Sequence, residues 1–462
     1  MMKNMTLENI AKACNGELHG KSCPQKEASC VVIDSRKIEE NGIFIATKGE
    51  RVDGHAFIRQ VAEKGALGVV CEKVPEDCDI SYILVQDSFQ ALKEIAEFYR
   101  QQLSIPVVGI TGSVGKTSTK EMIAAVLSVK FRVLKTLGNF NNELGLPLTV
   151  FRLRDEDQIA VLEMGISDFG EMHRLSKIAK PDICVMTNIG QCHLENLGTR
   201  EGILKAKSEI FDFMNPEGHI FVNGDDDMLI QVKEKGQNKP VPFGMDPANE
   251  VYASDVMNKG LLGSWAVIHM GREVFPVEIP LPGGHMVYNA LASAAVGKCL
   301  GLSREQIQEG IAGVEAVGGR SHVISLTDYT EIDDCYNANP MSMKAAIDLL
   351  TMALGRKVAV LGDMFELGEK ECELHGEVGA YAIEKGIDVL ISVGNLSKHM
   401  YESARATDGV AFMSGEKREI YYFQTRDEML EKLQSILKPG DNILVKASHG
   451  MHFEQVVEFL QK

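Results

Sequence analysis

The chain has 462 residues, 45% hydrophobic and 24% charged, the balance of an ordinary globular protein, and is long enough for about three domains of roughly 150 residues each. A formal net charge of −17 argues against nucleic acid or an anionic membrane surface as the main partner. No apolar stretch reaches the roughly 18 residues that cross a bilayer, and Lys3, Glu8 and Lys12 interrupt any signal-peptide core, so a cytoplasmic protein without membrane insertion is expected.

Residues 1–103 read as a small α/β domain. Thr6 caps a short helix that reaches Cys14, with Gly16 as its stop. Alternating or short apolar runs predict strands at 29–34, 42–46, 67–71 and 82–85, and helical periodicity fits 55–64 and 89–102. Ten cysteines are scattered along the whole chain without a C-x-x-C pair. Cys23 with Cys30, or Cys71 with Cys78, has the look of a bridge or metal pair, but free thiols suit the expected compartment better.

Residues 104–318 follow as a unit of alternating strands and helices, the pattern of a parallel sheet wrapped by helices. It opens with Val107-Val108-Gly109-Ile110-Thr111-Gly112-Ser113-Val114-Gly115-Lys116-Thr117: an apolar β-branched strand, a glycine-rich turn, then a helical sequence. In that order, backbone N–H groups and the positive helix end face phosphates, Lys116 neutralises charge and the Thr117 hydroxyl can hold Mg²⁺. Ile110 stands where the first glycine of G-x-x-x-x-G-K-[ST] belongs. ATP binding through Thr111, Gly112, Ser113, Val114, Gly115, Lys116 and Thr117 is expected.

Around this loop lie further candidates. Residues 138–145, rich in amides and including Asn141 and Asn142, form a polar loop able to grip phosphate or substrate; alone it is a turn. Glu163 ends the apolar run 159–162, where a carboxylate at a strand's carboxyl edge can ligate Mg²⁺. Residues 187–195 follow the run 183–187, and their His193 is a structural histidine on its own, a metal ligand or phosphate contact beside a nucleotide. Lys205 and Lys207, on a helix predicted over 201–213, read from composition as a solvated face. Short alternating segments at 251–279 predict a small antiparallel sheet, followed by an alanine-rich helix at 286–300.

Residues 319–462 alternate again, with strands predicted at 330–335, 358–361, 389–393 and 443–445. Helices are predicted at 342–354, 371–385 and 426–437 and at the C-terminus, making an open α/β layer like a dinucleotide fold but without G-x-G-x-x-G. There is no internal repeat and no low-complexity segment.

The order of motifs resembles the Mur ligase family, ATP-dependent amide-forming enzymes of peptidoglycan precursor synthesis. The similarity runs through Asp34-Ser35-Arg36, Gly49-Glu50-Arg51-Val52-Asp53-Gly54-His55, the phosphate loop, Asn139-Phe140-Asn141-Asn142-Glu143, Glu163-Met164-Gly165 and residues 187–198 and 206–211. It continues through Asp333-Asp334-Cys335-Tyr336-Asn337-Ala338-Asn339-Pro340 and Gly362-Asp363-Met364-Phe365-Glu366-Leu367-Gly368. The strings at 139–143, 333–340 and 362–368 look specific to the dipeptide-adding branch. The resemblance implies three domains, holding a UDP-sugar, ATP and the incoming amine in that order. It implies two Mg²⁺ ions, with Thr117 and Glu163 at the first and His193 and a carbamylated Lys207 at the second. Ser35, Arg36, Asp53 and His55 would meet the UDP-sugar, Asn289 the adenine, and Arg320 and Asp334 would close on the nucleotide. Asn141, Asn142, Tyr336, Asn337 and Asn339 would meet substrate, and Lys116, His193, Lys207 and Arg320 would serve catalysis. The substrates implied are UDP-N-acetylmuramoyl-tripeptide and D-alanyl-D-alanine, joined through an acyl phosphate by a monomer.

Three positions depart from the family's pattern. Met286 replaces an asparagine after His285, Gly318 replaces a proline, and Lys446-Ala447-Ser448-His449 replaces Lys-Gly-Ser-Arg. The competing expectations are a sister ligase adding a single amino acid and a non-catalytic nucleotide-binding paralogue. The Asp-Asn-Pro-Arg string of the branch that adds a diamino acid is absent.

Overall fold

Three sheets follow one another along the chain in the computed structural model, which describes residues 1–20, 25–49, 52–75, 79–411 and 418–462. Cys23, Glu50, Arg51 and Cys78 lie outside the described residues; the cysteines within them are free thiols.

The first sheet has five strands in the order Glu17–His19, Tyr82–Leu84, Gly68–Cys71, Ile43–Ile45, Val31–Val32, parallel except for its antiparallel first pair. The four expected strands form in shortened versions. Glu17–His19 is an added edge strand whose three residues are too few to show a period of two. Thr6 caps Leu7–Ala13 as expected, its side chain accepting from Asn9 N. Gly16 is not the helix stop: Asn15, at φ 50°, makes the left-handed turn. Gly16 is instead a close-approach position, since a Cβ there would lie 2.4 Å from Ile83 Cγ2. The helix expected over 55–64 divides into a 3-10 turn Gly54–Phe57, capped by Asp53, and an α-helix Ile58–Glu63.

Helix Ser88–Gln101 joins this unit to the next. Tyr99 donates its hydroxyl to Leu153 O at 2.5 Å and Arg100 Nε donates to Ala179 O at 3.0 Å, both buried. One apolar core therefore runs from Met2 to Leu229 across the seam.

The central sheet has nine strands: Glu273–Ile279, Ser264–Met270, Val251–Asn258, Pro240–Gly244, His219–Asn223, Ile183–Met186, Val107–Thr111, Ile159–Glu163 and Val133–Lys135. Strands Val107–Thr111, Ile159–Glu163 and Ile183–Met186 are buried on both faces, which is why they read as unbroken apolar runs. The segment 251–279 is antiparallel as expected but is not a separate sheet: Phe243 pairs in parallel with Val251 and carries the central sheet onward. The helix expected over 201–213 ends earlier, as Arg200–Ser208 followed by a 3-10 turn Glu209–Phe211.

The third sheet runs His322–Ser325, Thr330–Asp333, Asn442–Lys446, Lys357–Gly362, Val389–Val393, Glu419–Phe423, with only its first pair antiparallel. The strand expected at 330–335 stops at Asp333, leaving Asp334 beyond its carboxyl end. In the central sheet the chain leaves Val107–Thr111 toward one edge and later returns on its other side at Ile183–Met186. This reversal opens a crevice at the carboxyl ends of the strands, the place where open α/β sheets bind ligands. The carboxyl end of the third sheet closes over it.

Candidate active site

The crevice between the central and third sheets has a cavity volume of about 690 Å³. At its floor, strand Val107–Thr111 turns through residues 112–115 into helix Lys116–Ser128. Gly112 (φ 154°) must be glycine, because a Cβ would stand 1.9 Å from Thr187 Oγ1. Gly115 (φ 80°) is the left-handed N-cap, a conformation only glycine adopts without cost. The amides at the helix start have no carbonyl one turn before them, which leaves donors and the positive dipole end facing the cleft. Lys116 Nζ donates to Gly112 O at 2.8 Å. Burial lowers its pKa, opposed by Glu163 and Cys192 and reinforced by Arg320. Ser113, Val114, Gly115, Lys116 and Thr117 line the cleft, whereas Thr111 and Gly112 lie beneath it; Thr111 Oγ1 is buried without a partner.

Residues 187–190 hold this loop from the side. Asn188 clasps Val114 twice, Oδ1 accepting from its N–H at 2.9 Å and Nδ2 donating to its carbonyl at 2.9 Å. Thr187 Oγ1 donates to the same carbonyl at 2.7 Å, and Ser113 Oγ accepts from Gly190 N at 2.9 Å.

Glu163, 2% exposed, accepts from Thr117 Oγ1 at 3.0 Å and from Asn141 Nδ2 at 2.8 Å. The buried Lys120 ammonium stands 3.9 Å from it and donates to Thr136 O at 2.8 Å. The Thr117 hydroxyl and the Glu163 carboxylate are hard oxygen donors of the kind Mg²⁺ takes, and together they fit a site sharing the ion with phosphate and water. Among the described residues no three His, Cys, Asp or Glu side chains converge to hold an ion alone. Asn142 faces the cleft but its Oδ1 accepts from Leu144 N and Gly145 N, shaping the loop into helix Gly145–Val150.

Lys207 contradicts its reading as a solvated side chain: it is 1% exposed and, among the described residues, has no hydrogen bond or ion pair, while Lys205 is exposed beside the Phe169 ring. Burial pushes the Lys207 amine down to about 8, Cys192 opposing and Lys116 adding to the fall. An ammonium does not fit a cation, and Lys207 is not among the residues that line the cleft. His193, at φ 51°, lines the cleft and brings Nδ1 to 2.5 Å from Glu366 Oε2 of the third sheet. That contact holds the Glu366 carboxyl below its usual range.

On the opposite wall, the Arg320 guanidinium lies 3.9 Å from the centre of the Tyr336 ring. Burial raises the Tyr336 pKa, with Arg320 opposing. Asp334 accepts from Ser321 N at 2.8 Å and from buried Lys446 Nζ at 2.6 Å, so both its oxygens are engaged. Asn337 and Asn339 face the cleft, yet Asn339 also caps helix Pro340–Thr351 through Ser342 N at 2.9 Å. Asn289, on helix His285–Cys299, accepts from Thr119 Oγ1 at 2.8 Å and directs Nδ2 at Met286 Sδ, 3.3 Å away. His449 sits 5.5 Å, ring to ring, from Tyr336.

Ser35, Arg36, Asp53 and His55 do not line this cleft. Arg36 is an exposed ion-pair partner of Asp34 at 2.9 Å. Both ring nitrogens of His55 are engaged, Nδ1 with Asp53 at 2.6 Å and Nε2 accepting from Glu72 N at 2.9 Å, so His55 and Asp53 hold a loop together. Asn188, Lys446 and Glu366 fall inside motifs singled out in the sequence but given no individual role, and Lys120 was not singled out at all. Lys120 carried a signal: it falls one turn after Lys116 on a helix whose neighbouring residues Met122 and Ile123 are core. The others show only through tertiary contacts.

Three family models match the chain: "Mur ligase family, catalytic domain" over residues 27–106, "Mur ligase middle domain" over 110–297, and "Mur ligase, glutamate ligase domain" over 319–449. The UDP-N-acetylmuramoyl-tripeptide–D-alanyl-D-alanine ligase of Bacillus subtilis (strain 168) is 38% identical over 99% of both chains. A crystal structure of MurF from Acinetobacter baumannii superposes with a TM-score of 0.89 at 33% identity, covering 99% of each chain. The MurF ligase of Thermotoga maritima in complex with ADP matches at a TM-score of 0.80 and 30% identity, covering 94% of this chain and 97% of that one.

Proposed function

Because the chain belongs to the Mur ligase family, we propose that it is the dipeptide-adding ligase, joining D-alanyl-D-alanine to UDP-N-acetylmuramoyl-tripeptide at the expense of ATP. The observation that carries the branch is the 38% identity over 99% of both chains to a D-alanyl-D-alanine-adding ligase, and the convergence of Lys116, Thr117 and Glu163 with Arg320 in one cleft supports the ATP chemistry. An amide bond does not form spontaneously from a carboxylate and an amine in water, so the carboxylate must first be activated. The tripeptide's terminal carboxylate oxygen attacks the γ-phosphorus of ATP, and ADP departs. The D-alanyl-D-alanine nitrogen then attacks the acyl carbon, loses a proton, and phosphate leaves. No protein nucleophile is required. The chain's own residues supply neutralisation and alignment: Lys116 and the free helix amides toward the phosphates, Arg320 from the third sheet, and Asn188 as the brace that keeps the loop in shape.

Thr117 and Glu163 would hold one Mg²⁺, whose chemistry is to neutralise phosphate oxygens as charge develops. His193 and Lys207 would serve a second. An unpaired buried lysine whose amine titrates near 8 is nucleophilic toward CO₂ at neutral pH, and the carbamate so formed is the anion a cation site needs. The first sheet would take the UDP-sugar, with Ser35, Arg36, Asp53 and His55 as the residues the resemblance assigns to it. Phosphate release from ATP, measured with the tripeptide and each candidate amine in turn, tests the reaction. D-alanyl-D-alanine alone should sustain turnover, and turnover with single amino acids instead would point to a sister ligase. ¹³C-bicarbonate should add a carbamate resonance to the wild-type protein that is missing from Lys207→Met.

A further inference from the structure

Two residues with left-handed backbones, His193 (φ 51°) and Glu366 (φ 62°), meet across the boundary between the central and third sheets. Neither is glycine, so each conformation is strained and must be held by its surroundings. The surroundings do hold them. Leu194 belongs to the margins of both the central and the third core, and a Cβ on Gly368 (φ 63°) would lie 3.6 Å from the Glu195 backbone. The contact is part of a built junction between the loop after strand Ile183–Met186 and the loop after strand Lys357–Gly362.

His193 Nδ1 is buried and, among the described residues, has no aligned hydrogen bond, and Glu366 Oε2 lies 2.5 Å from it. A bare nitrogen lone pair and a carboxylate oxygen repel at that distance, so Nδ1 carries the proton. In the neutral ring Nε2 then keeps its lone pair, and among the described residues Nε2 makes no hydrogen bond or ion pair. An acceptor nitrogen suits a cation and not a phosphate oxygen, which requires a donor. We propose that Glu366 is a positioning residue that fixes His193 as its Nδ1–H tautomer when the third sheet closes on the central one, presenting Nε2 as a cation ligand. The carboxylate thus serves as the outer partner that ligating imidazoles ordinarily have. It comes from a different sheet than the imidazole, so the ligand is set only in the closed arrangement. This rests on the reading of His193 as a ligand to the second ion.

The test uses the full-length chain labelled with ¹⁵N-histidine, at a pH where the ring is neutral, with His193→Gln identifying the His193 signals. The wild type should show Nδ1–H. Glu366→Gly, which also relieves the positive φ, and Glu366→Ala should both show Nε2–H, the form free histidine favours in water. In steady state both variants should lose about tenfold or more in kcat, with little change in KM for ATP, and Glu366→Asp should recover part of the loss. An unchanged Nδ1–H signal in Glu366→Gly overturns the proposal, as does a wild type that shows Nε2–H. Mn²⁺ binding in the presence of ADP, measured by electron paramagnetic resonance on His193→Ala, isolates the underlying reading. If Mn²⁺ stoichiometry is unchanged while the tautomer still switches in Glu366→Gly, His193 is not a ligand, and Glu366 stands as the residue that sets its tautomer.

Discussion

Replacing Lys207 with methionine should make the protein more stable and inactive at once. The side chain is buried without a partner, and methionine fills a similar volume without the charge. Burial takes the amine from 10.5 to about 8. At about 1.36 kcal/mol per pH unit, that fall corresponds to about 3 kcal/mol of stability withheld from the folded state by the ammonium. In CO₂-free buffer the whole cost is present below pH 8, where folded and unfolded chains both hold the proton. Between pH 8 and 10.5 the unfolded chain still binds a proton that the folded chain has released, so wild-type stability from this group rises with pH. Above 10.5 the cost is gone. Urea unfolding followed by Trp265, the single tryptophan, reports the central sheet directly. Lys207→Met should gain about 3 kcal/mol at pH 7, gain nothing from lost charge at pH 10.5, and form no amide at either. Equal stability of the two proteins at pH 7, or ligation by the variant at the wild-type rate, refutes the reasoning.

Lys116→Ala should leave the fold intact and slow ligation by the equivalent of about 3–4 kcal/mol in the transition state; more than a tenth of wild-type turnover at saturating ATP would contradict the role given to the ammonium. Gly112→Ala forces a Cβ to within 1.9 Å of Thr187 Oγ1 and should displace the Thr187 bond to Val114 O, so ATP binding by calorimetry should be lost. Wild-type affinity in that variant would show that the loop tolerates the shift. Burial raises buried Glu331 to about 7, so the folded chain keeps a proton that the unfolded chain releases near 4.5. Wild-type stability from this group therefore falls as pH rises from 4.5 to 7, and Glu331→Gln should be more stable by thermal melting at pH 8 but not at pH 4.5; the same gap at both values would count against it.

How much of this was legible in the sequence depended on whether a feature was local. The phosphate loop was, because glycine at positions 112 and 115, Lys116 and Thr117 all sit within one strand–turn–helix. The doubly buried strands were, because burial on both faces leaves an unbroken apolar run. Strands Glu17–His19, Val133–Lys135 and Glu419–Phe423 were not, being three to five residues that take their conformation from a neighbour. Lys205 and Lys207 show the limit most plainly. Composition treats them alike, but at about 100° per residue they point about 200° apart, one to solvent and one into the core. Asn289 and His55 show a second limit: the resemblance gave each a ligand contact, but no sequence pattern shows that Asn289 Oδ1 accepts from Thr119 or that His55 bonds Asp53 and Glu72.

The chemistry asks for exclusion of water, since an acyl phosphate left open hydrolyses. In this protein the wall that excludes it and the floor that binds phosphate meet on one segment, residues 187–195. Thr187 and Asn188 brace Val114 of the phosphate loop, and Gly190 bonds Ser113. A few residues on, the same segment receives the third sheet. Met341 is packed so closely on Gly190 that a Cβ there would lie 2.7 Å from its methyl, Leu194 packs against the margins of both cores, and His193 meets Glu366. Separation of the sheets would strip the segment of those three contacts while leaving its grip on Val114 intact. The braces on Val114 therefore do not depend on the third sheet, whereas Arg320 and Glu366 reach the cleft from its side. The groups that complete the site thus belong to the same wall that keeps water out, so a displacement of that wall would remove both together.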